Sequence, residues 1–281
     1  MQPLGPVLTL DLFPEERAAL LDLLSGLSDE EWKRPTVCEG WSVRDVALHV
    51  LGDDLGVLSR RRDAFADMSL ARGAGDLSVW ENLVAYLNQW NEVWVTAARR
   101  LSPALMIDLL RFSGEALHRY YESLDMMDTG PPVSWAGPQA APVWLDVARE
   151  YTERWLHQQQ IRDALESPGL TEPRLFAPVL DTFARALPQT FHGVLAPEGT
   201  HVRLAVSGEA GGDWSLVRHD GAWGLYRDVE SEPAASVTLG QDDAWRLFTK
   251  GISRDEAFPR ASLAGDHSLC MRVLDTVSII A

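Results

Sequence analysis

The sequence predicts a two-domain protein, an N-terminal all-α helical bundle over residues 1–170 followed by a smaller α+β domain over 171–281. Three observations carry this. The 281 residues suit two modest domains. Apolar side chains up to about residue 166 recur at helical spacing between short Pro- and Gly-containing breaks. Beyond Gly169 they alternate in short runs instead, as in half-buried strands.

The elements follow in order. Pro14 opens a helix whose apolar face is Leu20, Leu21, Leu23, Leu24 and Leu27, and Ser28-Asp-Glu-Glu31 reads as a capping box for a short turn carrying Trp32. Ser42 and Asp45 form a second capping box, with Trp41 and Val46 as a hydrophobic staple, and that helix runs to about Asp67 before a loop at Gly73, Gly75 and Asp76. A Trp-rich helix, with Trp80, Trp90 and Trp94, spans Leu77 to Leu101, and Ser102-Pro103 restarts the chain toward Leu124. Thr129 to Pro138 cannot be helical, and Pro142 opens the last long helix from Val143 to Glu166. Long amphipathic helices with short breaks pack most simply as an up-and-down bundle. In the second domain, Leu175 to Phe191 reads as helix. Strands are expected at 200–206, 214–217, 223–226 and 235–239, and helices at 242–248 and 268–277.

Composition restricts the function. With 46% apolar residues and 11 tryptophans the chain can build real cores. Forty-one carboxylates against 25 basic residues leave a net charge of −16, which repels nucleic acid and anionic membrane surfaces alike. The N-terminus lacks the features of an export signal, no apolar run reaches bilayer length, and Cys38 and Cys270 read as free thiols; together these point to the cytoplasm. Nucleotide-binding glycine motifs, the GxSxG elbow and HExxH are missing.

What remains is histidine chemistry. Glu153 stands four residues before His157, so both project from one helix face, and His49 on an earlier helix is the candidate third ligand for a divalent ion. Two imidazoles and one carboxylate form a catalytic zinc set, leaving one position for water or a thiol. Asp53 and Gln160 are placed to hold the outer nitrogens of the rings. The bland alternative also stands: Trp144, Ala148, Tyr151 and Trp155 mark the opposite side of that helix as apolar, which turns Glu153 and His157 to water, and His49 reads as a core-edge histidine. Glu115 and His118 read as a surface pair, His192, His201, His219 and His267 show no metal spacing, Cys38 reads as a packed small hydrophobe, and Arg60 to Arg62 as a solvated face.

Leu27-Ser-Asp-Glu-Glu-Trp32 and Pro35-Thr-Val-Cys-Glu-Gly-Trp-Ser-Val-Arg-Asp-Val-Ala-Leu-His49 resemble the N-terminal signature of the mycothiol-dependent maleylpyruvate isomerases, within the DinB-like metal-binding superfamily. Glu153-Arg-Trp-Leu-His157 with Ile161-Arg-Asp-Ala-Leu165 resembles that domain's last helix, and Gly199 to Leu216 is similar to the attached sterol-carrier-like domain. The resemblance implies a four-helix bundle with zinc, or another divalent metal, on His49, Glu153 and His157, pointing into a pocket rather than to water. It also implies a low-molecular-weight thiol of the mycothiol type as cosubstrate and a small electrophile as substrate. The outcome is either cis–trans isomerisation, by thiolate addition, bond rotation and elimination, or S-transfer. Relatives often carry Asp where this chain has Gln160, and a basic residue for the substrate carboxylates is sought among Arg218, Arg246, Arg254 and Arg260. The resemblance assigns no catalytic acid or base and no oligomeric state. Two rivals remain: a non-catalytic carrier or regulatory module with a structural metal, and a metal-dependent hydrolase.

Overall fold

The computed structural model describes residues 1–65, 75–77 and 79–279. The helix end expected near Asp67, the loop residue Gly73 and the Trp80 side chain lie outside the described residues. The chain has an N-terminal helical domain and a sheet-containing C-terminal domain. No described helix is long and apolar enough to cross a membrane.

The helical unit comprises Leu10–Leu124 and Glu153–Leu170. Its helices are α1 (Phe13–Ser25), α2 (Val43–Val57), α3 (Trp80–Ala98), α4 (Pro103–Glu122) and the second half of α5 (Val143–Ala164). Both capping boxes form. Ser42 Oγ accepts from the Asp45 amide at 3.3 Å while Asp45 Oδ2 accepts from the Ser42 amide at 3.0 Å, and Ser28 and Glu31 repeat the exchange. Ser102 caps α4 with Pro103 in its first turn. At Leu58 the α-helix passes into a π-helical turn, Leu58–Arg62, whose three arginines are exposed. The core joins Leu20 and Leu24 of α1, Val46, Leu48 and Leu51 of α2, Met106 and Leu110 of α4 and Ile161 of α5. Trp94 of α3 donates its indole N–H to the Leu48 carbonyl at 2.7 Å, and its ring covers the flat spot that Gly52 leaves on α2.

The second unit comprises Met1–Thr9, Asp125–Thr152 and Thr171–Ala281. The single boundary expected near residue 170 therefore captures only part of the packing. The reason is covalently remote but physically simple. The strand β1 (Gln2–Pro3) pairs with β4 (Ala222–Arg227), and Val7, Val133, Trp135, Trp144, Leu145 and Ala148 share one core with Ala186. The helix predicted over 175–191 breaks into α6 (Pro173–Ala184) and α7 (Leu187–Thr190). The strands β2 (His201–Ser207), β3 (Gly212–His219) and β4 form an antiparallel meander, and Asp220-Gly221 turns the second hairpin with both residues at positive φ. The strand β5 (Ala235–Gly240) runs parallel to β2, followed by α8 (Gln241–Phe248), α9 (Arg254–Ala257), β6 (Ser262–Gly265) and α10 (His267–Val273). The sheet order is β1-β4-β3-β2-β5-β6.

Gly52 supplies a direct check on the α2–α3 contact. A Cβ there would lie 2.5 Å from Trp94 Cδ1 and Nε1. Gly52→Ala is expected to force the indole away and break its bond to Leu48, lowering stability by about 1–3 kcal/mol. The readout is a loss of unfolding midpoint in denaturant with a parallel change in tryptophan fluorescence.

Candidate metal centre

The site begins with a buried charge inside the helical unit. Asp54 of α2 is fully buried, and three groups converge on its carboxylate. Arg17 of α1 donates to Oδ2 at 2.7 Å and Oδ1 at 3.2 Å, Arg154 of α5 donates to Oδ1 from Nε at 3.1 Å and Nη2 at 2.9 Å, and Ser113 of α4 donates to Oδ2 at 2.6 Å. Burial alone would raise the Asp54 pKa, but the two guanidinium groups outweigh it and hold the carboxyl below its ordinary range. Nearby Glu16 goes the other way: burial pushes its carboxyl up, and Gln158 donates to it at 3.0 Å. The sequence reading missed this cluster. Its signal was present, because Phe13, Arg17, Leu20 and Leu24 follow helical spacing and all are buried, so Arg17 occupies a core position that requires an anion.

The expected ligands lie near this clamp on the same two helices. The Nε2 atoms of His49 on α2 and His157 on α5 approach to 3.0 Å, with their rings at 90°. Asp53 Oδ2 stands 3.3 Å from His49 Nε2, and Glu153 Oε2 stands 3.8 Å from His157 Nε2. The ligand atoms of His49, Asp53 and His157 all lie within 4.8 Å of one another. Asp53, expected only behind His49, is thus as close to the imidazoles as Glu153. Both histidines are buried and Glu153 is half-buried, so the apolar stripe of α5 does not turn this pair to water. The helix is covered on more than one side: Trp155 donates to the Leu170 carbonyl at 2.8 Å, Tyr151 to the Leu175 carbonyl at 2.9 Å, and Arg154, Gln158 and Gln159 are themselves buried.

The surroundings tune the donors. Trp41, just before the α2 cap, lies 5.2 Å from the His49 ring and is tethered to Glu92 of α3 at 2.9 Å. His157 Nδ1 meets Gln160 Oε1 at 2.8 Å, and the same oxygen accepts from Cys38 Sγ at 3.3 Å. Burial, reinforced by His49, lowers the His157 pKa to about 3. A neutral imidazole is the form that binds a cation, and two imidazoles with carboxylates form a donor set suited to zinc. The residues present therefore fit a divalent metal.

The remaining candidates are accounted for outside this cluster. Glu115 pairs with Arg119 and His118 with Glu122. His201 is buried against the Ser231 carbonyl, while His192 and His267 are exposed. His219 lies near Glu198 and Asp220, all three exposed, but Glu198 also accepts from the Asp220 amide at 2.7 Å as part of a turn. Arg246, Arg254 and Arg260 each pair with an aspartate. Arg218 on β3 is half-buried and has no ion pair among the described residues.

The helical unit is a bundle in which a buried imidazole pair flanked by carboxylates converges between two helices, a donor set of the kind that bundle cores use for cations. Residues 13–162 match the model of the mycothiol maleylpyruvate isomerase N-terminal domain, and the chain belongs to that family. Two similar solved structures are crystal structures of the mycothiol-dependent maleylpyruvate isomerase and of a histidine-to-alanine mutant of it. Each is 14% identical, covers 85% of this chain and 86% of its own, and aligns with a TM-score of 0.47. No curated protein matches the chain.

Two outcomes follow from this geometry. Asp54→Ala leaves two buried guanidinium groups without their shared anion and is expected to cost about 3–5 kcal/mol, measured by denaturant unfolding. The second concerns pH. The folded-state pKa of His157 is depressed, from 6.5 to about 3, so between those values the unfolded chain takes up a proton that the folded chain excludes. Stability of the metal-free protein should therefore fall as pH drops below 6.5, and His157→Gln should flatten that slope in thermal melts recorded across the window.

Proposed function

We propose that the protein is a zinc-dependent enzyme of the maleylpyruvate isomerase type that activates a low-molecular-weight thiol, mycothiol or a close analogue, for attack on a small electrophile. The product is either a cis–trans isomer or a thiol conjugate. The observation that carries this reading is the 3.0 Å approach of two buried imidazole nitrogens between two carboxylates. Family membership supports the thiol and the isomerase chemistry.

In this reading His49, Glu153 and His157 hold the metal, and Asp53 holds the His49 ring or shares the cation. Bound zinc would supply Lewis acidity, favouring thiolate over thiol at neutral pH. The chain's own part is to keep His157 unprotonated by burial, to cover His49 with the Trp41 indole, and to keep α2 and α5 in register through Asp54. The acidic surface, with its net charge of −16, disfavours nucleic acid and anionic membranes, leaving small molecules as the partners.

Purified protein should contain about one zinc per chain, and His49→Ala or His157→Ala should remove it. Glu153→Gln is expected to remove most of the metal and Asp53→Asn to weaken it less, with metal content measured by elemental analysis. Maleylpyruvate and an electrophile panel should then turn over only when mycothiol is added. Turnover that needs the metal but no thiol would replace this reading with hydrolysis, and a wild-type protein that binds no divalent ion would overturn it.

A further inference from the structure

We infer that Cys38 and Gln160 are positioning residues that hold the His157 ring in its Nδ1–H tautomer, so that the Nε2 lone pair faces His49 and the carboxylates. The inference deepens the proposed metal centre and rests on it for its consequence, metal affinity. The tautomer itself is a property of the metal-free chain.

The argument is one of hydrogen-bond direction. The Nε2 atoms of His49 and His157 lie 3.0 Å apart, and two N–H groups cannot point at each other, so one ring donates there and the other accepts. At the other side of the His157 ring, Nδ1 meets the oxygen of the Gln160 carboxamide at 2.8 Å. That oxygen can only accept, so the neutral His157 ring carries its hydrogen on Nδ1 and its Nε2 accepts from His49. At the far end Cys38 selects the same orientation, because its S–H is a donor and lies 3.3 Å from that oxygen. Burial raises the Cys38 pKa, which keeps it a donor at neutral pH. A carboxamide turned the other way would present N–H to Nδ1, force the hydrogen onto Nε2 and aim it at His49. The chain Cys38–Gln160–His157–His49 thus runs in one direction only, and it joins the loop before α2 to α5 and back to α2.

The two residues are well placed for this work. Gln160 lies one turn after His157 on α5, so its side chain reaches the ring without backbone adjustment. Cys38 sits in the segment between the short turn Glu31–Lys33 and α2, where Thr36 Oγ1 accepts from its amide at 3.2 Å and so fixes its backbone. A sulfur there is more than filler for the core edge. It is the donor that settles which way a neighbouring amide lies.

The test is nitrogen-15 imidazole NMR on the full chain stripped of metal, paired with zinc affinity by chelator competition. Wild type is expected to show His157 with its hydrogen on Nδ1. Gln160→Leu should lose that pattern and weaken zinc about 10–100-fold. Gln160→Glu keeps an acceptor and Cys38→Ser keeps a donor, so both should preserve the tautomer, whereas Cys38→Ala should mix the two forms. Gln160 is half-buried, and the conservative pair separates positioning from packing. A wild-type ring protonated on Nε2, or a Gln160→Leu spectrum identical to wild type, would overturn the inference. A wild-type chain that binds no zinc would instead sink the metal reading, while the tautomer comparison would still decide this one.

Discussion

A single buried carboxylate organises the helical unit. Asp54 draws Arg17 from α1, Arg154 from α5 and Ser113 from α4 to one point, so four helices meet at two oxygens. Apolar packing tolerates small slides and rotations between helices, whereas a charge-assisted network with fixed donor directions does not. The desolvation of these groups is costly, and such networks add specificity of arrangement more readily than stability. Here the arrangement specified is the register of α2 against α5.

That register is what the site needs. Asp53 and Glu153 each precede a clamp residue, Asp54 and Arg154, and successive residues on a helix point about 100° apart. Fixing one pair fixes the other. His49 and His157 stand four residues before Asp53 and four after Glu153, on the same helices, so the clamp also sets the spacing of the imidazoles. The burial that makes the clamp necessary is the burial that keeps His157 neutral. Structural and chemical roles share one physical cause.

Much of this was legible in the residues, and the parts that were not share a reason. Ser42 with Asp45 and Ser102 with Pro103 are local signals, and each sits where local chemistry puts it. The meeting of His49 with His157 was accessible only through spacing on two helices and a family likeness. The polar face assigned to Glu153 and His157 failed because periodicity assumes one buried side, while α5 is enclosed more fully. The strands β1 and β6 were missed because two or four residues cannot display alternation, and α9 because it is a single turn. Residues 1–9 and 125–152 pack with the sheet unit through partners far along the chain, which no window of sequence contains.

The brevity of the two outer strands has a consequence for behaviour at high concentration. β1 lends two residues to the border of β4, one of them a proline without an amide hydrogen, and β6 is four residues long on the opposite side. An incoming extended peptide therefore finds neither margin long enough to nucleate intermolecular ladders, and the strong mutual repulsion of acidic surfaces adds to this. The way the sheet ends thus works against edge-to-edge association.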